Sequence, residues 1–367
     1  MRAASNSSPA EGSGPIEAAT QAARQNGLRY VSDSAPGYRR LGDSEKGFHY
    51  NDPDGKPEKD AAVLARIKSL VIPPAWRDVW ICRWPNGHIQ VTGRDARNRK
   101  QYRYHPRWRS VRDEAKYDRM ISFGKCLPAL RKEVDRALSL PGLPREKILA
   151  AVVHLLEATL MRIGNDEYAR TNKSFGLTTL RNRHVRIDGS EVAFHFRGKS
   201  GIMHAIKLQD PRMARIIRRM RDLPGQDLFQ YVDDDGAQHA IGSEDVNEYL
   251  RSLTGEDYTA KDFRTWAGTM LAAMALHEFQ KFDSAAQAKK NIVQAIEEVA
   301  GKLGNTPTIC RKCYVHPAII ESYLDGTMLT ALQKKAKQKL VDDIHTLTPE
   351  EAAVLALLQQ RLQGSAD

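Results

Sequence analysis

The spacing of hydrophobic and polar positions changes near residue 110. Before that point the apolar residues form short runs, and the runs at 79–82 and 89–91 are separated by the turn-forming sequence Pro-Asn-Gly-His at 85–88. Short apolar runs on either side of Asn-Gly are typical of a β-hairpin. One helix is predicted over 59–70. This part of the chain is therefore predicted to be a small domain dominated by a sheet.

After residue 110 the apolar positions recur with the period of an α-helix. A helix is predicted to begin at Pro144 and to stop at Gly164. The segments 179–187, 192–196 and 203–208 predict three strands inserted among the helices. Further helices are predicted to begin near Asp210, Ser243, Thr259, Ser284, Pro307 and Thr348, and the chain is expected to restart at Pro317 after the helix that begins at Pro307.

The predicted fold class is α+β, with a small β-rich N-terminal domain and a larger, mostly α-helical domain that carries a three-stranded β insert. Residues 1–27 are rich in Ala, Ser, Gly, Gln and Pro and contain no aromatic residue, so a disordered tail is predicted there. The β-rich domain is assigned to 28–110 and the helical domain to 111–327. The last segment, 328–367, is predicted to be a helical extension.

Positive charge is concentrated in one segment. The chain has 56 Lys and Arg against 45 Asp and Glu, a formal net charge of +11, and 94–112 alone contributes +7. Tyr102, Tyr104 and Trp108 are interleaved with these basic residues. Guanidinium forks and aromatic rings suit phosphates, sugars and bases, so the segment predicts nucleic-acid binding, with a solvated basic face as the alternative.

Several classes of protein are excluded by composition. No run of 18 apolar residues is present, so we expect no membrane span. No apolar segment follows the N-terminus, so we expect no secretory signal. Four cysteines in 367 residues exclude a disulfide scaffold and indicate a reducing compartment. We therefore expect a cytoplasmic protein.

Two motifs resemble cofactor sites but lack residues that those sites need. Gly198-Lys199-Ser200 resembles the end of a phosphate-binding loop, but position 193 is Ala rather than Gly, and a strand rather than a helix is predicted to follow. Cys310 and Cys313 supply two of the four ligands that structural zinc needs, so packing or surface thiols are predicted instead. Neither a nucleotide cofactor nor a metal is expected.

Five polar residues remain as candidates for chemistry: Arg162, Lys199, Arg264, Asn305 and Tyr314. Each also has an ordinary structural explanation. The arginines suit a helix end and a salt bridge, the lysine suits a turn, the asparagine a cap, and the tyrosine a half-buried contact. Taken one at a time, these residues leave both interpretations open.

Six segments taken together resemble the type IB DNA topoisomerase family, in its small bacterial and poxviral branch. The resemblance covers roughly residues 28–325, and its specificity comes from the order of segments that are each weak alone. The segments are 100–104 (KQYRY), 160–164 (LMRIG), 176–184 (GLTTLRNRH), 196–201 (FRGKSG), 261–266 (KDFRTW) and 304–317, which contains GNTP and YVHP.

The resemblance implies roles for the five candidates. Arg162 and Arg264 match the two catalytic arginines of the family, Lys199 its hairpin lysine and Tyr314 its nucleophile. Asn305 stands where some members have His, so hydrogen bonding stays possible but an acid role at that position is lost. The larger domain is then the catalytic domain.

The same resemblance implies double-stranded DNA as the partner of a monomeric, nucleoid-associated enzyme. The residues expected to contact DNA are Arg99, Gln101, Tyr102, Tyr104 and Lys261. Ordinary strand packing is the alternative for each of the two tyrosines.

The implied activity is relaxation of positive and negative supercoils through a transient 3′-phosphotyrosyl bond, without ATP or metal. A tyrosine site-specific recombinase shares the catalytic plan, but it usually has His three residues before the second arginine, where this chain has Lys261. A DNA-binding protein without catalysis is the third hypothesis.

Overall fold

The computed structural model describes residues 15–45, 47–96, 98–233, 235–279, 281–328 and 346–363, apart from some side chains, chiefly those of 109–117. The chain forms two compact units, residues 1–117 and 118–367. The division lies inside helix α3 (Pro106–Leu138), so the boundary predicted after residue 110 is not where the units separate. The change of period near 110 marks the start of this helix, which extends from the first unit into the second.

The first unit contains one five-stranded antiparallel sheet in the order β2-β1-β3-β4-β5. The predicted hairpin is present as β3 and β4, with Trp80 opposite Thr92. The elements before α3 are α1 (Pro15–Gln25), β1 (Tyr38–Asp43), β2 (Gly47–Asn51), α2 (Ala61–Ser69), β3 (Arg77–Ile81), β4 (Ile89–Arg94) and β5 (Lys100–Tyr104).

The two faces of strand β3 pack into separate clusters, as alternation along a strand requires. Val79 and Ile81 are buried with Ile67 of α2. Trp80, on the opposite face, is buried with Val31, and its indole N–H donates to the Ala35 carbonyl. Both faces of the sheet are therefore covered in its middle.

The prediction of a disordered tail over 1–27 is wrong for residues 15–25. Residues 15–25 form α1, and Ala23 is fully buried against Leu28 and Trp108. The apolar face of α1 consists of alanines, which give a weak signal in the sequence, and its partner Trp108 lies more than 80 residues away. Residues 1–14 lie outside the described residues.

The second unit is mostly helical, and α8 packs against α4, α9, α11 and α12. The predicted helices begin at the predicted residue or at the next one. The bounds are α4 (Arg145–Thr159), α5 (Asp166–Asn172), α6 (Pro211–Arg221), α7 (Ser243–Thr254), α8 (Ala260–Glu278), α9 (Ala285–Leu303), α10 (Pro307–Cys313), α11 (Pro317–Leu324) and α12 (Pro349–Gln363).

The predicted three-stranded insert is present as the antiparallel sheet β6-β7-β8, with strands β6 (Val185–Asp188), β7 (Glu191–Arg197) and β8 (Met203–Gln209). The residues before β6, predicted as strand from 179, form short 3₁₀ turns at Leu177–Thr179 and Asn182–His184 instead. A small hairpin of β9 (Gln230–Val232) and β10 (Gln238–Ala240) was not predicted.

Helix α4 ends earlier than predicted. It stops at Thr159, and Leu160 takes a left-handed conformation with φ 56°. The backbone carbonyls of Arg162 and Ile163 then accept hydrogen bonds from the amides of Leu177 and Thr178, at 2.9 and 2.7 Å. These long-range bonds compete with further helix, so Arg162 lies in an extended segment instead of at a helix end.

The predicted C-terminal helix is confirmed as α12. A reciprocal cap begins it, because the Thr348 amide donates to Glu351 at 3.0 Å and the Glu351 amide donates to the Thr348 hydroxyl at 3.2 Å. Packing against α8 makes 349–363 part of the second unit, and 329–345 lie outside the described residues. The α+β fold class is confirmed. Within the described part of the chain, no helix has the length and hydrophobicity needed to cross a bilayer.

Candidate active site

One crevice in the second unit is lined by Arg162, Lys199, His204 and Arg264. These side chains come from the segment after α4, the hairpin between β7 and β8, strand β8 itself and helix α8. Asn305 and Tyr314 adjoin it, the first through Arg162 and the second through Arg264. The structure thus brings together all five residues that the sequence picked out for chemistry.

Arg264 is the most deeply buried charge of the site, with 4% of its surface exposed. Its guanidinium donates to the carbonyls of Leu160 and Leu303, the latter at 2.7 Å. These carbonyls lie at the C-terminal ends of α4 and α9, where the helix dipoles are negative and stabilise a cation. Burial lowers the pKa of Arg264, but a guanidinium stays charged.

Arg162 is held by the residues that follow α9. Its guanidinium donates to the Gly304 carbonyl at 3.0 Å and to the Asn305 side-chain oxygen. Burial and then the nearby positive charge of Arg264 lower the pKa of Arg162. Among the described residues neither arginine forms a salt bridge with a carboxylate, so the crevice carries an uncompensated positive charge that suits an anion.

Asn305 offers one more donor to the crevice. Gly304 ends α9 in a left-handed conformation with φ 60°, which turns the chain so that the Asn305 oxygen meets Arg162. The Asn305 amide nitrogen is buried and has no hydrogen-bond partner among the described residues. A buried N–H of this kind is available to an oxyanion.

Tyr314 is fixed by its backbone. Its amide donates to the Cys310 carbonyl at 2.9 Å, and its carbonyl accepts from the Thr269 hydroxyl at 3.2 Å. Gly268 allows this approach, because a Cβ there would lie 2.7 Å from the Tyr314 carbonyl oxygen. The Arg264 guanidinium carbon lies 5.3 Å from the centre of the Tyr314 ring.

Sequence reasoning missed Gly268 and Thr269. An isolated glycine inside a predicted helix is a signal of close packing, and it could have identified Gly268. Thr269 is fully buried, and its hydroxyl also accepts from the His316 amide at 3.1 Å. One helix turn of α8 therefore holds the Tyr314 carbonyl and the backbone that follows it.

Lys199 begins the turn that joins β7 to β8. The turn uses left-handed backbone at Ser200 and Gly201, with φ 63° and 80°. The Lys199 side chain is exposed, and within the described part of the chain its ammonium group forms no salt bridge. An exposed cation at a hairpin tip can reach a bound molecule above the crevice.

Cys310 and Cys313 are free thiols, and among the described residues no group of three or more His, Cys, Asp or Glu that could hold a metal ion is found. Cys310 is fully buried, and burial raises the pKa of its thiol to about 11. It is therefore a packing thiol, as predicted.

The residues expected to contact DNA in the first unit lie on β5 and the turn before it. Arg99 and Gln101 both bind Asp95, at 2.7 and 3.0 Å. Tyr102 and Tyr104 stack with ring centres 5.9 Å apart, and Tyr102 is 43% exposed. The structure therefore brings these four together on one strand and its turn.

Lys261, the fifth expected contact, belongs to the second unit. It is exposed in the first turn of α8, three residues before Arg264. Asp262 next to it accepts a hydrogen bond from the Thr259 amide at 2.8 Å and caps the helix.

Two arginines, a lysine, an amide and a tyrosine thus lie around one crevice, an arrangement that suits a phosphate ester. Comparison with known proteins agrees: the family described as eukaryotic DNA topoisomerase I, catalytic core, matches residues 105–341, and bacterial DNA topoisomerase IB, N-terminal domain, matches 47–95. The chain is 33% identical over 277 residues to DNA topoisomerase 1B of Acanthamoeba polyphaga mimivirus, covering 74% of this chain and 82% of the relative.

A second relative, DNA topoisomerase 1B of Vaccinia virus (strain Copenhagen), is 23% identical over 252 residues, which cover 66% of this chain and 74% of the relative. The chain belongs to the type IB DNA topoisomerase family, a class of isomerases. The resemblance seen in the sequence is thereby confirmed and is favoured over the recombinase hypothesis.

Proposed function

We propose that the protein relaxes positive and negative supercoils by cutting and resealing one DNA strand through a 3′-phosphotyrosyl bond, without ATP or metal. One observation carries the proposal. The buried guanidinium group of Arg264 and the half-buried one of Arg162 lie in the crevice that Lys199 also lines, and Arg264 lies beside Tyr314.

The arginines suit the charge that the reaction develops. Attack on a phosphodiester places more negative charge on the two nonbridging oxygens, and Arg162 and Arg264 present planar donors to them. The buried Asn305 amide can donate a further hydrogen bond. Donors fixed in advance need no reorganisation as the charge develops, and each is worth about 10²–10³ in rate.

In the proposed covalent step, one bond to phosphorus forms and another breaks. The Tyr314 oxygen bonds to the phosphorus and gives its proton to solvent water, while the bond from phosphorus to the 5′ oxygen breaks. Lys199 donates a proton to that oxygen, which is a poor leaving group as an alkoxide. Resealing is the reverse reaction, and it needs no ATP because the phosphotyrosyl ester keeps the energy of the broken bond.

Relaxation follows from the open strand. With one 3′ end held on Tyr314, the duplex beyond the cut can rotate about the intact strand, and torsional strain of either sign drives that rotation. Double-stranded DNA is then both substrate and product, so the reaction changes topology only.

We further propose that the β-rich domain is a DNA-binding domain and that Arg99, Gln101, Tyr102, Tyr104 and Lys261 contact the duplex. The concentration of positive charge in 94–112 and the exposure of Tyr102 support this assignment. A monomer acting on the nucleoid in the cytoplasm is the simplest setting for such an enzyme, and it remains a proposal.

The decisive experiment traps the covalent intermediate. Full-length protein is mixed with an end-labelled duplex, quenched with detergent, and digested to locate any labelled residue. We expect label on Tyr314, none with Tyr314→Phe, and unchanged labelling with the control Tyr168→Phe, which alters an exposed tyrosine on α5. The same proteins are assayed on plasmids of each supercoil sign with EDTA and no ATP.

The outcomes separate the hypotheses. Relaxation of both plasmids by the wild type, lost with Tyr314→Phe, supports the proposal. Adducts formed equally well by Tyr314→Phe would refute the role of Tyr314. DNA binding whose affinity falls steeply with salt, with no adduct at all, would favour the non-catalytic hypothesis.

A further inference from the structure

His204 lines the crevice beside Arg162, Lys199 and Arg264, and the proposed chemistry gives it no role. It lies on β8 opposite Phe196 in the strand register, and the two rings stack with centres 5.1 Å apart. Since alternate residues of β8 face the interior, the half-buried positions 204, 206 and 208 share one face. His204 is thus built into the inner face of the hairpin that carries Lys199.

The edge of the His204 ring touches two glycines from different segments. A Cβ at Gly198 would lie 2.5 Å from Cδ2 and 2.6 Å from Nε2 of the ring, and a Cβ at Gly304 would lie 3.0 Å from Cε1. Gly198 immediately precedes Lys199, and Gly304 immediately precedes Asn305. One imidazole therefore spans the space between the hairpin turn and the segment that holds Arg162.

The surroundings keep this ring neutral. Burial and then the positive charges of Arg162 and Arg264 hold the pKa of His204 below its ordinary value. The other charged residues that line the crevice, Lys199 and Lys302, are also cations, and no carboxylate lines it among the described residues. A neutral ring fills the space without repelling the arginines or the lysine.

We propose that His204 is a positioning residue for Lys199, holding the hairpin turn against the Gly304 segment so that the ammonium group meets the leaving 5′ oxygen. This inference rests on the proposed function. Since one ring face covers Phe196 and the ring edge from Cδ2 to Cε1 contacts glycine backbone, the imidazole acts by packing.

The test compares two substrates at the cleavage position mapped with the wild type. One duplex has the ordinary 5′ oxygen, and the other has sulfur in its place, which leaves as a thiolate and needs no proton. The Lys199→Ala enzyme should lose cleavage activity on the duplex with the 5′ oxygen and regain it on the duplex with the 5′ sulfur. His204→Ala should follow the same pattern, with a loss of about 10²-fold on oxygen, as expected for a displacement of about 1 Å, and recovery on sulfur.

Two further variants make the test specific to packing. Gly198→Ala places a methyl group against the ring and should give the same oxygen-selective loss. In the double variant of Gly198→Ala with His204→Ala the methyl occupies the vacated space, so its rate should equal or exceed that of His204→Ala alone. His195→Ala, which alters an exposed histidine on β7 of the same hairpin, is the matched control and should behave as the wild type.

Recovery on sulfur also shows that the variants are folded. A similar loss on both substrates, or a double variant whose loss is the product of the single losses, would overturn the positioning role. So would a change in the shape of the pH profile of cleavage in His204→Ala, because that would assign a proton-transfer role to the imidazole. Absence of any adduct in the wild type would instead refute the proposed function.

Discussion

Burying one guanidinium group and half-burying a second without a carboxylate is costly for a folded protein, since an unpaired charge taken out of water loses its hydration. Here Arg264 and Arg162 are bonded to backbone carbonyls at helix ends, whose partial charges offset only a small part of the two positive charges. The remaining positive potential is not neutralised within the crevice. A site of this kind binds a phosphodiester well because the ligand supplies the missing negative charge.

Asn305→Asp tests this balance with almost no change of shape. The new carboxylate should pair with Arg162, neutralise part of the crevice and remove the free N–H. We expect cleavage to fall by about 10²–10³-fold, as measured by single-turnover adduct formation. Asn305→His, which keeps a donor and adds no negative charge, should retain much more activity, and equal rates for Asn305→Asp and the wild type would contradict the role of the amide.

Gly268→Ala tests the support of Tyr314. The added methyl group would meet the Tyr314 backbone at 2.7 Å, so either the helix or the tyrosine must move. We expect a cleavage rate reduced by about 10²-fold with a stability loss of about 1–3 kcal/mol. Single-turnover cleavage and chemical denaturation measure the two effects.

Gly301→Ala is the matched control for that variant. Gly301 lies inside α9, and a Cβ there would meet nothing within 4 Å. Helix propensity should then make the protein about 1 kcal/mol more stable, with activity unchanged. A Gly268→Ala enzyme as active as this control would show that Tyr314 tolerates displacement.

At the scale of elements, α8 connects the site to the rest of the second unit. Its residues Arg264, Gly268 and Thr269 contact the site, and the Trp266 indole N–H donates to Glu351 of α12 at 3.2 Å. Glu351 also accepts two hydrogen bonds from Arg131 of α3, which pairs with Glu157 of α4 as well. This cluster ties four helices together behind the crevice.

Glu351→Gln tests the cluster through the pH dependence of stability. Burial opposes ionisation of Glu351, but the hydrogen bonds and charge of Arg131 lower its pKa overall. A carboxyl group whose folded pKa is depressed stabilises the protein above its unfolded pKa of about 4.3, and that contribution is lost as pH falls through the folded value. The variant should lose about 1.5–3 kcal/mol at pH 7 and show a shallower acid transition in denaturation experiments.

Glu350→Gln, at an exposed position on the same helix turn, is the control and should change stability little. An acid transition in Glu351→Gln that matches the wild type would mean that Glu351 titrates alike in the folded and unfolded chain.

At the scale of the whole molecule, the net charge of +11 governs the approach to DNA. Binding that neutralises phosphates releases counterions, so affinity falls as salt rises. The charge is uneven along the chain, with +7 in 94–112 of the first unit and the uncompensated arginines in the second. Each unit thus carries its own feature that suits a phosphate backbone.

Lys261→Ala tests one such contact in the full-length protein. Removing a single phosphate contact should lower the slope of log affinity against log salt by about 0.9, equally for duplexes of different sequence. Fluorescence anisotropy over a salt series measures the slope. Lys132→Ala removes an exposed lysine on α3 and should leave the slope unchanged, whereas an unchanged slope in Lys261→Ala would remove that residue from the contact set.

The sequence by itself determined the α+β class, the helix starts and the five polar residues around the crevice. Caps, prolines and hydrophobic period are local signals, and the catalytic segments keep a recognisable order along the chain. It did not determine the end of α4, because hydrogen bonds from Leu177 and Thr178 compete there with continued helix. It also missed α1, whose burial depends on Trp108.

Only the tertiary structure decided how the site is supported. Gly268 matters because the Tyr314 backbone lies against it, and His204 matters because Gly198 and Gly304 approach its ring. These contacts join segments between six and 100 residues apart, and no local pattern encodes them. Local chemistry selects the residues that react, whereas long-range packing sets the distances at which they can do so.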